Sequence, residues 1–378
     1  MRFLSYVLVA AVAACLTLAV FSRSMMTNTS KLNEIEKIVD YYYIGEKDED
    51  AVLDAAAAGY IDGLGDRWSH YMNAEEYRSY KETMNNAYVG IGVTITVRED
   101  GYIDVVSVQA GGPAEEAGIR SGDLIVAVSG KDVSDMELEE VKAMIRGAAG
   151  TKVNITVRTG DADRELQLTR REIETVVATG QMLADNIGLI TIVNFDKRCA
   201  QETIAQIESL RQQGATALIF DVRFNPGGYK DELVEVLDYL LPEGPLFRSK
   251  DYTGEESVDR SDANFLDMPM AVLYNDNSYS AAEFFAAALD EYEAAITVGT
   301  PTTGKGRFQT SFALSDGSAI VLSIGEYSTP NGVCLADVGL TPDILVEIDE
   351  QTYWDIYDGK LEPEKDPQIQ AAVNALKS

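Results

Sequence analysis

Ala271-Val272-Leu273-Tyr274-Asn275-Asp276-Asn277-Ser278-Tyr279-Ser280-Ala281-Ala282-Glu283 reads as a strand, a polar turn and the start of a helix that continues to Tyr292. Upstream, Ile187 to Ile192 is a strand followed by a helix from Ala200 to Gln213. Ala217 to Val222 is a buried strand followed by a helix from Glu232 to Leu241. Strands alternating with helices define an α/β core. Ser280 stands where one of its strands gives way to a helix, a place where unpaired first-turn N–H groups and the helix dipole can stabilise an oxyanion. The Ala281 amide adjoins the serine, and the glycine turn Gly227-Gly228, at the end of another strand, is placed to bring a second amide.

A serine nucleophile needs a base, and the chain contains one histidine, His70. A lysine whose charge is lost on burial is the main alternative, which points to Lys305. Each residue also has a structural reading. Ser280-Ala281-Ala282-Glu283 fits a helix capping box, and Ser278 competes with Ser280 as cap or nucleophile. Gly299-Thr300-Pro301-Thr302-Thr303-Gly304-Lys305 fits a phosphate-binding loop. Against that loop, Gly306 occupies the position of the magnesium-binding hydroxyl. The stretches Phe308 to Ser315 and Ala319 to Ile324 alternate like a β-hairpin, so no helix supplies the phosphate site. His70, beside aromatic residues, reads as packing rather than chemistry.

The chain has 378 residues, 46% of them hydrophobic, and its 62 acidic against 31 basic residues give a formal net charge of -31. It can bury a sizeable core in two to three folded units, and its charge repels nucleic-acid backbones. Leu4 to Phe21 is an apolar run of 18 residues flanked by Arg2 and Arg23, long enough to cross a bilayer. It reads as an uncleaved membrane anchor, with a cleaved signal peptide or a lipoprotein signal at Cys15 as alternatives, and places the body outside the cytoplasm. Cys199 and Cys334 lack metal-ligand spacing and read as buried thiols. Lys31 to Lys81 has helical periodicity and reads as an all-helical lead-in.

From Tyr88 the periodicity changes to that of strands. Gly90 to Val97, Ile103 to Val108, Leu124 to Val128, Val153 to Val157 and Leu166 to Leu168 alternate with a turn and short helix within Gly111 to Gly118 and a longer helix from Met136 to Arg146. This stretch resembles a PDZ domain, through Tyr88-Val89-Gly90-Ile91-Gly92-Val93 and the run from Gly112-Pro113-Ala114 to Gly122-Asp123. The resemblance implies that amides of Val89, Gly90, Ile91 and Gly92 receive the terminal carboxylate of a peptide, which adds a strand to the sheet edge.

Asp221-Val222-Arg223-Phe224-Asn225-Pro226-Gly227-Gly228, the Ser280 segment and Thr303-Gly304-Lys305-Gly306 through Gln309 occur in that order. Together they resemble the carboxyl-terminal processing peptidases, the tail-specific serine proteases of family S41. The resemblance implies Ser280 as nucleophile, Lys305 25 positions later as base, Gln309 as the residue that orients the lysine, and oxyanion amides at Ala281 and Gly227-Gly228. It implies no metal or cofactor, and protein or peptide C-termini as substrates. Ala282 and Phe224 depart from the pattern, relatives often having serine and asparagine there. Glu291 matches an acidic position helpful in some relatives and reads as structural.

The expected architecture is multidomain α/β. Residues 1–24 form the anchor or signal, 25–87 a helical region, 88–173 a PDZ domain, 174–361 a ClpP/crotonase-like protease core and 362–378 a helical tail. A non-catalytic tail-binding scaffold is the alternative. A homodimer formed through the N-terminal helices, with Asp366 to Lys377, is a further expectation.

Overall fold

The computed structural model describes residues 31–377 except 99 and 135. The apolar run expected as an anchor lies outside the described residues, among which no helix is long and apolar enough to cross a membrane. The chain divides into two units at Gly59/Tyr60. In the first, residues 31–42 are helical and Glu49–Asp62 begins. Lys47 pairs with Asp40 and Glu49 there, while Leu32, Ile35 and Ile38 remain exposed.

The second unit is built on a six-stranded sheet in the order Ala178–Met182, Ile187–Ile192, Ala217–Asp221, Met270–Tyr274, Ala295–Gly299, Ile344–Leu345. The first pair is antiparallel and the rest are parallel. Because strand side chains alternate, Leu218, Phe220, Val272 and Tyr274 join one core and Ile219, Ala271 and Leu273 another on the opposite face. Strands covered on both faces read as unbroken apolar runs, which is why Ala217–Asp221 and Met270–Tyr274 are buried at every position. Helices Cys199–Gln212, Lys230–Leu240 and Ala281–Glu291 contribute to the first core. Nine of the eleven residues of Ala281–Glu291 are buried, so this helix is apolar nearly all round.

Ile369, Ala372 and Val373 of helix Pro367–Leu376 cover the second face. This corrects the expectation that Asp366 to Lys377 presents an apolar face to a second copy: the chain's own sheet buries it. The helix is fastened by Arg223, whose guanidinium pairs with Asp221 at 2.6 Å and with Asp366 at 2.9 Å, all three side chains being buried.

The lead-in is not all helical. After Glu49–Asp62, residues His70–Met72 form a strand that pairs with Ala319–Ser328, before helix Ala74–Met84. Three residues are too few for a strand period to register in the sequence. A PDZ-type domain of six strands has its own core around Ile103, Val105, Ile125, Val141, Ile155 and Val157. It is tied in by the two-stranded pairing of Ala87–Gly90 with Arg171–Glu174. Cys199 is a buried thiol pushed up by its burial; Cys334, expected to be buried, is exposed.

Candidate active site

Three adjacent parallel strands, Ala217–Asp221, Met270–Tyr274 and Ala295–Gly299, end on the same edge of the core sheet. The loops that follow carry Gly227-Gly228, Ser280 and Lys305. Parallel α/β sheets hold their ligands outside the carboxyl ends of their strands, so sheet order brings together residues that are far apart in sequence.

The two serines of the middle loop differ in what their hydroxyls do. Ser278 is fully buried; its Oγ donates to the Val222 carbonyl at 2.8 Å and accepts the Asn275 N–H at 3.0 Å. It is a structural serine. Ser280 is half-buried, with φ 59 and ψ -127, a conformation costing a non-glycine residue on the order of 1–3 kcal/mol and held only when its surroundings enforce it. Asn275 Oδ1 accepts the N–H groups of Phe224 and Asn277, and Tyr279 N–H donates to the Asn225 carbonyl, fixing the turn on both sides. The Ser280 Oγ accepts a hydrogen bond from Tyr327 OH at 3.1 Å.

Gly227 lies directly against this turn at φ 91. A Cβ there would stand 2.7 Å from Ser280 Cβ and 2.8 Å from Ala281 N, closer than real contacts allow. Of the oxyanion amides implied by the resemblance, Gly227 N–H is taken by Asn225 Oδ1 at 2.8 Å. Among the described residues, the Ala281 and Gly228 N–H groups donate to no acceptor.

Glu283 forms the expected capping box with Ser280 and also reaches beyond it. Its Oε2 accepts the N–H of Ser280 at 3.0 Å and that of Lys305 at 2.9 Å; Oε1 accepts Gly304 N–H at 2.7 Å and the Thr302 hydroxyl. Burial holds this carboxyl above the usual carboxylate range, against the lowering effect of its hydrogen bonds. One buried side chain thereby fastens the Lys305 loop to the Ser280 turn.

Burial also lowers Lys305, to about 8, with Glu283 and Asp66 opposing the shift. Its Nζ lies 4.7 Å from the ring centroid of Trp68 and 5.8 Å from that of Tyr279. Such faces attract an ammonium. Among the described residues no hydrogen bond joins Lys305 Nζ to Ser280 Oγ. Trp68 arrives through the strand His70–Met72 and through Ser69, whose Oγ donates to Asp66 and accepts Ser323 N–H. Trp68, Tyr327 and the loop contacts of Glu283 were not legible in the sequence. The only trace was the position of Trp68 two residues before His70, the residue that read as packing.

Gln309, expected to orient Lys305, has its Nε2 donating to the Arg307 carbonyl and to Ser323 Oγ, both at 3.0 Å. The register shift at Phe308/Gln309 sets Gln309 opposite Ser323. Glu291 accepts from the Thr329 hydroxyl and Asn331 N–H, a structural task as expected. His70 is exposed. Strand Arg307–Ala313 begins two residues after Lys305, and a Cβ on Gly306 would stand 2.5 Å from Ala336 Cβ; no phosphate-loop helix is present there. In the PDZ-type domain, Val89 and Gly90 pair with Glu172 and Arg171. Ile91 is buried, and Gly92 has φ 77.

An α/β core preceded by a PDZ-type domain is the organisation of a modular peptidase, and family models agree. One for the PDZ domain matches residues 105–159 and one for peptidase family S41 matches residues 186–346. The chain is 34% identical to the carboxy-terminal processing protease CtpA of Bacillus subtilis over 92% of its own length and 77% of that protein. It is 31% identical to a CtpA-like serine protease of Staphylococcus aureus strain N315, over 86% of its own length and 66% of that protein. A crystal structure of a Bacteroides fragilis protein described as an S41 protease shares the fold, with TM-score 0.52 and 15% identity over 88% of this chain and 90% of that one. The chain belongs to peptidase family S41.

Proposed function

We propose that this peptidase cleaves protein substrates recognised by their C-terminal tails, with Ser280 as nucleophile and Lys305 as general base. The observation that carries this reading is Glu283 Oε2, one atom that accepts the amides of both residues. The tail's carboxylate docks on Val89 to Gly92 of the PDZ domain and an upstream segment reaches the core. Lys305 leaves the Trp68 face as a neutral amine, Gln309 exchanging its Ser323 contact to orient it, and takes the Ser280 hydroxyl proton while Oγ bonds to the substrate carbonyl carbon. The oxyanion is received by the unpaired amides of Ala281 and Gly228. The C–N bond then breaks, the leaving nitrogen takes the proton from Lys305, and water deprotonated by the same lysine hydrolyses the acyl-enzyme.

Residues 4–21 anchor the protein, with its body outside the cytoplasm. The exposed apolar positions of residues 31–44 pair two copies, a state that light scattering on the body would test. The decisive test of the function is incubation with an unfolded protein carrying different C-terminal residues. Wild type cleaves it in a tail-dependent way and Ser280→Ala does not; equal cleavage by both would overturn the assignment.

A further inference from the structure

A cavity of about 290 Å³ opens beside the Ser280 turn, at the small end of ligand pockets and suited to a side chain rather than a whole cofactor. Five of its lining residues are aromatic: Phe224, Tyr279, Tyr353, Trp354 and Tyr357. Pro226 completes the apolar wall and Asn277 lies at the cavity as well. Two of its lining residues flank the candidate site in the chain: Tyr279 directly precedes Ser280, and Pro226 directly precedes Gly227, which packs on Ser280.

Two features of this cup are unexplained by the fold alone. Phe224 has φ 61, a genuine outlier for a bulky residue and one that asparagine tolerates far better. Its ring packs edge-on against Tyr353 and Tyr357, with centroids 4.9 and 5.2 Å away. Helix Glu350–Tyr357 has no buried residue, yet it brings three aromatic rings to the cavity and leaves Trp354 and Tyr357 about half exposed. Tyr353 is held by Asn277 and Asp276 at its hydroxyl. A strained backbone retained beside a reactive centre points to function rather than to packing.

We propose that this cup is a side-chain subsite that takes one large apolar substrate residue, of the leucine or phenylalanine class, flanking the scissile bond. The inference rests on the reading of Ser280 as nucleophile. No charged side chain lines the cavity, so a charged residue entering it would lose its hydration without a counter-ion.

The test uses the full chain and capped peptides that differ only in one residue, Phe, Leu, Ala or Glu, beside a mapped cleavage site. Wild type, Phe224→Asn, Tyr357→Ala and the exposed control Tyr252→Ser, outside the cavity lining, are compared. Phe224→Asn relieves backbone strain, so its fold persists. The wild-type preference in kcat/KM for Phe over Ala falls by about tenfold or more in both cup variants, the order expected when an apolar pocket is lost. It stays at the wild-type value in Tyr252→Ser. An unchanged preference in both cup variants overturns the proposal. A second arm measures calorimetric binding of the same peptides to Ser280→Ala. Apolar-selective binding without any wild-type cleavage refutes the Ser280 reading and keeps the cup; cleavage without apolar preference refutes the cup and keeps the Ser280 reading.

Discussion

The Ser280 turn and the Lys305 loop leave neighbouring strands of one sheet and are held in opposite ways. At Ser280 the backbone is forced into a costly conformation and the hydroxyl is oriented by Tyr327. At Lys305 the backbone is fastened by Glu283, while the ammonium rests on aromatic faces without a hydrogen bond among the described residues. The difference teaches that preorganisation here resides in the backbone and in the Ser280 hydroxyl. The Lys305 amine, the base of the proposed mechanism, is part-desolvated and disengaged. A lysine held by ring faces leaves them at the loss of about 0.5–2 kcal/mol, a small barrier beside the binding energy of a polypeptide.

The sharpest way to break this comparison is to remove either reacting group. Ser280→Ala and Lys305→Ala each lower kcat/KM roughly 10⁴-fold or more, as members of a catalytic unit do, while circular dichroism stays that of wild type. Glu283→Gln tests the fastening itself. It leaves buried N–H groups poorly paired, costing about 1–3 kcal/mol in denaturant unfolding. It lowers kcat by about 10²-fold through displacement of the two loops, and an unaltered kcat would remove Glu283 from the account. Trp68→Leu sharpens the other half. It removes the ring face that favours the charged amine and keeps an apolar neighbour, so burial, the largest cause of the Lys305 shift, acts with less opposition and the acid limb of the rate profile moves to lower pH. The smallest effect belongs to His70→Ala, an exposed substitution expected to change stability by less than about 0.5 kcal/mol.

Much of the core was legible because both faces of its sheet are covered. Ala217 to Val222 and Ala271 to Tyr274 are apolar runs with polar turns at their ends, and the motifs lie in those turns. The choice between Ser278 and Ser280, open on local pattern, is decided physically by the two hydrogen bonds that occupy Ser278. Trp68 and Tyr327 could not be read. Trp68 is brought in by the pairing of His70–Met72 with Ala319–Ser328, a non-local contact spanning about 250 residues of sequence, and Tyr327 by its packing on Phe284 and the pairing of its strand with Gly244–Asp251. Gln309 illustrates the converse. Its spacing from Lys305 is right, but a register shift in the strand turns its amide toward Ser323.

The claim that lysine is the base is tested most directly by the pH dependence of kcat/KM on a tail-bearing substrate, for wild type and His70→Ala. A neutral amine is required, so activity rises with pH as the proton leaves Lys305. The account predicts one acid limb near pH 8, identical in the two proteins. An acid limb near the ordinary histidine pKa of about 6.5, lost in His70→Ala, would contradict it.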